Sequence, residues 1–169
     1  LAACDERDGL KDGLITDPRT CHFDPAVLQC KGGDEASCLT APQVKAAKQI
    51  YSPAKNPRTG KEMFSSLVPG TELGWGVQAL GPEPSANIYD QYKYVVFKDP
   101  AWDFRTFDFE RDAVRAEQND AGTINAIDPN LKSFFDRGGK LLQYHGWGDP
   151  QISPGHSVQY YTRVAEALG

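Results

Sequence analysis

All four cysteines of this 169-residue chain, Cys4, Cys21, Cys30 and Cys38, fall in its first quarter, and no other feature limits the fold so strongly. An even number of cysteines confined to one loop-rich stretch points to two local disulfides. The alternative is a zinc site, which asks for short paired spacings such as Cys-x2-Cys, and successive separations of 17, 9 and 8 do not supply them. Disulfides in turn imply a secreted or periplasmic location. The segment they would staple has almost no helical or strand periodicity. It carries Asp-Gly twice, Gly-Gly once and Asp-Pro twice, all turn signals, so cross-links are what it needs to keep a shape.

Beyond the cysteines the chain reads as an ordinary globular sequence. Its 40% hydrophobic content and its length suffice for a single core. The 16 Gly and 12 Pro are scattered, which suggests many loops and helix boundaries. A net charge of -5 with no Lys/Arg stripe argues against nucleic acid as a partner. No apolar run approaches the ~20 residues that span a bilayer. The chain starts Leu1-Ala2-Ala3 without Met or a signal-peptide layout, and so reads as cut from something longer.

Helix signals begin at Thr40, a candidate N-cap ahead of Val44, Ala47 and Tyr51, with a stop near Ser52-Pro53. Lys55 to Gly60 reads as a hairpin turn, and the Gly/Pro-rich stretch around Trp75 as irregular. Residues 87 to 97 lean towards helix over strand, and Asp108 to Gln118 suits a partly exposed helix. Near the end, Asp128 as N-cap and Pro129 at the first helical position predict a helix through Leu131, Phe134 and Phe135, closed by Gly138. A short apolar strand is expected over Lys140 to Tyr144, then a turn at Gly146 to Pro150, then a helix from Ser153-Pro154 bearing Val158, Tyr161, Val164 and Leu168. Helix, strand, loop and helix make an α/β unit. Ligands in open α/β sheets bind beyond the carboxyl ends of strands, where Asp149 falls.

Two constellations could carry chemistry. Asp5, Asp8 and Asp12, with Gly9 and Gly13 after the second and third, offer the carboxylates and sharp bends that a hard cation such as calcium demands. The spacing is not that of an EF-hand, and a solvated acidic turn is the plain alternative. Three aspartates within eight residues repel one another, and cysteines on either side would pin the loop, which favours an ion. The second constellation is Asp149 itself, for which an Asp-Pro turn is the plain alternative.

Taken together, Cys4-Asp5-x-x-Asp8-Gly9-x-x-Asp12-Gly13-x-Ile15 with Cys21, Cys30 and Cys38, and the distant Tyr144-His145-Gly146-Trp147-Gly148-Asp149-Pro150-Gln151-Ile152-Ser153-Pro154, resemble the tannase and feruloyl esterase family. That family includes the enzyme that hydrolyses mono(hydroxyethyl) terephthalate. The resemblance implies an internal piece of an α/β-hydrolase: a calcium-binding, disulfide-stapled lid over residues 1–109, with the calcium loop at 4–15, and part of the hydrolase core over 110–169. It implies bridges Cys4–Cys21 and Cys30–Cys38. It also implies structural calcium on the carboxylates of Asp5, Asp8 and Asp12 and the carbonyls of Leu10 and Leu14. The implied chemistry is Ser-His-Asp acyl transfer on an aromatic or phenolic ester, with Asp149 as the acid that orients the histidine.

The serine and histidine motifs of that family are missing from these residues, so the chain alone is expected to be inactive. Gly155-His156-Ser157-Val158-Gln159 is the nearest string to a nucleophile elbow, and it lacks the final Gly and follows the acid. His22, His145 and His156 read as structural. Trp75, Trp102 and Trp147 could line an aromatic pocket, although large aromatics more often pack a core. The competing reading is a non-catalytic, calcium-stabilised extracellular binding module.

Overall fold

The computed structural model describes residues 1–79, 81–120 and 122–169. The first forty residues contain no regular helix or ladder, as expected. They are built from 3-10 turns at Asp5–Asp8, Pro18–Thr20 and Pro25–Leu28. The two Asp-Pro pairs serve as caps: Asp17 accepts the Arg19 N–H and Asp24 the Ala26 N–H, while each proline occupies a position whose missing N–H costs nothing. Disulfides join Cys4 to Cys21 and Cys30 to Cys38, as the resemblance implied, and all four sulfurs are consumed, which removes the zinc alternative.

Helix α1, Ala41–Ile50, starts at a full capping box: the Gln43 N–H reaches the Thr40 hydroxyl, and the Gln43 side chain accepts the Thr40 N–H at 2.8 Å. Strands β1 (Ala54–Lys55) and β2 (Glu62–Phe64) pair antiparallel around the expected turn, where Asn56 Oδ1 accepts the Arg58 and Thr59 N–H groups and Gly60 takes φ of 67°. A 3-10 turn at Glu72–Gly74 leads to α2, Gly76–Ala79.

The stretch read as helical over 87–97 is α3, Ala86–Asp90, running into a π-helical segment Gln91–Phe97 that Lys98 stops at φ of 56°. Tyr92, Phe97 and Trp102 stack there, and Phe107 meets Tyr92 edge-on. Helix α4, Phe109–Asp120, packs back on this cluster through buried Ala113, and Asn119 donates to the Val96 carbonyl at 2.6 Å. Asp112 is fully buried; it accepts the Asp108 N–H and both arms of the Arg111 guanidinium, which hold its carboxyl below the usual range.

Two expectations fail in the last forty residues. Helix α5 is Lys132–Asp136 and starts three residues late. Asp128 accepts the Asn130 N–H and Pro129 the Leu131 N–H, so the Asp-Pro pair closes a turn of its own instead of capping the helix. Gly138, at φ of 83°, ends the helix as expected. Lys140 to Tyr144 is extended but is not a strand, because no backbone among the described residues pairs with it. It still shows the mark of one: exposure alternates residue by residue, with Leu142 89% and Tyr144 92% exposed. Helix α6, Pro154–Leu168, completes the chain.

The α/β expectation is thus met in its helices and only by a two-stranded ribbon among the described residues. The expected single core is thin: among the described residues Val44, Val96, Ala113 and Val164 are its buried aliphatic members besides two disulfide cysteines. Short helices bury one narrow stripe each, and many large apolar side chains find no cover within the chain.

Candidate functional site

The turn after the extended segment carries the carboxylate of interest. Asp149 donates its N–H to the Gly146 carbonyl at 3.1 Å, closing the turn. Its Oδ1 then accepts the N–H groups of Gln151 at 2.8 Å and Ile152 at 3.0 Å. Those two amides, with help from His145, hold the Asp149 carboxyl below the usual aspartate range. A third of the side chain's surface stays open. The group is therefore a fixed, ionised acceptor at neutral pH.

The loop is locked in place from two sides. Ser153 caps α6 by accepting the Gly155 N–H, accepts the Ser65 hydroxyl at 2.9 Å and donates to the Ser66 carbonyl at 2.5 Å. These bonds tie the helix start to the segment following β2, across almost ninety residues of sequence. Gly74 lies so close that a Cβ there would sit 2.3 Å from Pro150 Cγ. Between these elements lies a cleft of about 470 Å³ lined by Phe64, Leu67, Trp75, Ile152 and His156 among others.

Histidines fall into distinct roles. His156 meets Phe64 edge-on at 5.5 Å and is pushed towards its neutral form by burial, a packing role in line with expectation. His145 is hydrogen-bonded, also as expected, but to unforeseen partners: its Nε2 lies 3.2 Å from Asp149 Oδ2 and its Nδ1 2.7 Å from the Ser157 hydroxyl. Sequence reasoning set Ser157 aside as part of a chance string. The usable signal was His145 four residues before Asp149 across a Gly-rich turn, with Ser157 one helical turn past the Ser153 cap. Of the tryptophans, Trp75 lines the cleft, Trp102 sits in the aromatic cluster, and Trp147 lies under the Arg19 guanidinium at 4.9 Å.

The acidic loop has its own order. Asp5 is buried beside Cys4, and its Oδ1 accepts the Asp12 and Gly13 N–H groups at 3.2 and 2.9 Å. Asp8 accepts the Leu10 N–H and the Thr16 hydroxyl, and Asp12 the Leu14 N–H. Gly9 and Gly13 both take left-handed φ, 94° and 81°, so the bends that a loop wrapped on an ion requires are present. The donor chemistry suits calcium, but among the described residues no three acidic, His or Cys side chains converge on one point. Leu10 and Leu14 are more than half exposed on the same loop.

Comparison with known proteins agrees with these motifs. The family model described as tannase and feruloyl esterase matches residues 1–169. A probable feruloyl esterase B of Aspergillus clavatus is 38% identical over 167 residues, covering 98% of this chain and 31% of that protein. An uncharacterized esterase of Xanthomonas campestris is 36% identical, covering 97% of this chain and 31% of its own length. Crystal structures of an esterase and of feruloyl esterase B, both from Aspergillus oryzae, superpose with TM-scores of 0.90 and 0.89 at 34% identity; the first match covers 99% of this chain and 33% of that one. The chain spans about a third of the length of the curated relatives it matches. By its whole length it belongs to the tannase and feruloyl esterase family.

Proposed function

We propose that this chain is the lid and catalytic-acid portion of a secreted carboxylic-ester hydrolase that cleaves aromatic or phenolic acyl esters. The observation that carries the reading is the Asp149 carboxylate, fixed by two backbone N–H groups on one oxygen and left partly open on the other. In Ser-His-Asp acyl transfer such a carboxylate keeps the imidazole in the tautomer that accepts the serine proton and stabilises the cation that results. The nucleophile and base come from residues outside these 169, so the chain alone does not turn over an ester. Residues 1–109 act as the lid and 110–169 as part of the core, and the bare alternating edge at 140–144 suits a strand that pairs with core strands elsewhere.

The lid's acidic loop binds calcium in a structural role. Asp5, Asp8 and Asp12 supply carboxylates and Leu10 and Leu14 carbonyls, with the ion replacing the turns those carboxylates now close. Chelation with EDTA is expected to lower the melting temperature and added calcium to restore it. An unchanged melting temperature would contradict the ligand assignment.

The functional test is to express the complete open reading frame containing this chain and assay gallate, ferulate and terephthalate esters. Hydrolysis of at least one supports the reading. Absence of hydrolysis with calcium binding intact would favour a non-catalytic extracellular module.

A further inference from the structure

Three side chains, each from a different turn of the chain, form an unbroken hydrogen-bonded line: the Ser157 hydroxyl, the His145 imidazole and the Asp149 carboxylate. The line superficially has the composition of a catalytic triad, and its geometry argues against that role. Both imidazole nitrogens are engaged, and only a fifth of the His145 side chain meets solvent. Ser157 lies within α6, four residues past its cap, where a hydroxyl lacks the exposed strand-to-helix turn that presents a nucleophile.

What the line does accomplish is to fix the second oxygen of Asp149. An ionised carboxylate offers about four acceptor sites. Oδ1 fills two of them with the Gln151 and Ile152 N–H groups, which hold the group at one end and leave Oδ2 to define where an incoming imidazole docks. At neutral pH the carboxylate is an acceptor, so a neutral His145 donates from Nε2 and must accept at Nδ1; the Ser157 hydroxyl is the donor it needs. Asp149 thus dictates the tautomer of His145, Ser157 holds the ring by donating to Nδ1, and His145 sets the orientation of Oδ2. One acceptor site on Oδ2 remains for a second imidazole.

We infer that His145, oriented by Ser157, is a positioning residue for the catalytic acid Asp149. The inference rests on the esterase reading above and adds to it two residues that act through Asp149 without touching the ester.

The test uses the complete open reading frame containing this chain, with p-nitrophenyl ferulate as the substrate. His145→Ala is expected to lower kcat about 10- to 100-fold, the cost of a slightly misplaced catalytic group, with KM within twofold. His145→Gln keeps a donor near the Nε2 position and is expected to recover most of that loss. Ser157→Ala should lower kcat about 3- to 10-fold, and the double variant should be no worse than His145→Ala, since both act along one line. Should His145→Ala fail to fold, Ser157→Ala carries the test through its own loss of about 3- to 10-fold in kcat at unchanged KM, and His145→Gln should stay near the parent. The inference is overturned if His145→Ala leaves kcat within twofold, if the Gln variant does no better than Ala, or if the loss appears in KM. Asp149→Asn run alongside separates the two levels: collapse of kcat there with no effect at His145 sinks this inference alone, whereas no effect at Asp149 sinks the esterase reading.

Discussion

The stapled first forty residues and the acid loop near the chain's end are both turns without a ladder, yet they keep their shapes by opposite means. In the first, two disulfides close loops of 17 and 8 residues' separation, and short-range bonds from Asp5, Asp8, Asp12, Asp17 and Asp24 to nearby backbone do the rest. That order is local and largely covalent. In the second, the Asp149 turn depends on Ser65, Ser66 and Gly74, which lie far away in sequence. The difference teaches that the stapled segment can hold itself together, while Asp149 is presented by the docking of distant segments.

Breaking the staple is the largest expected stability effect. Cys4→Ser with Cys21→Ser removes the longer closed loop and is expected to cost about 3 kcal/mol in denaturant unfolding. The damage should stay local: amide exchange should speed up over residues 5–39 while the Gln151 and Ile152 amides keep their protection. Equal loss of protection in both regions would erase the contrast. Next in size is Gly74→Ala, which drives a methyl against Cβ and Cγ of Pro150, a ring tethered to the backbone beside Asp149. Overpacking of this kind costs about 1–3 kcal/mol, and here the protection lost should be that of the acid loop. A neutral Gly74→Ala would mean that the docking is loose. Smallest is a direct link between the two regions, Arg19 over Trp147. A double-mutant cycle with Arg19→Ala and Trp147→Leu should give a coupling of about 0.5 kcal/mol. A coupling several times larger would show that the regions are not independent.

How much of this was legible in the sequence follows the same divide. Local signals read true: the Thr40 cap, the Lys55 to Gly60 turn, and the Ser153-Pro154 start of α6 each depend on neighbours within a few positions. At Asp128-Pro129 two local uses of one carboxylate competed, and the turn took the hydrogen bond that the helix would have used. Lys140 to Tyr144 has strand composition, but a strand exists only where another backbone answers it. The candidate site divided likewise. Asp149 stood out because a motif surrounds it, whereas the His145–Ser157 contact joins residues twelve apart by folding, and the four-residue spacing of His145 and Asp149 was its one local hint. The acidic loop's residue types point to an ion; its two glycines take left-handed φ, and among the described residues no three ligand side chains converge there.

The central claim, that Asp149 is the acid of an ester-cleaving triad, is tested most directly by kcat of Asp149→Asn in the complete open reading frame containing this chain. With the melting temperature within a few degrees of the parent, kcat on a ferulate ester is expected to fall about 10⁴-fold, as loss of a triad aspartate's charge does. A folded Asp149→Asn variant that keeps kcat within tenfold of the parent would contradict the account.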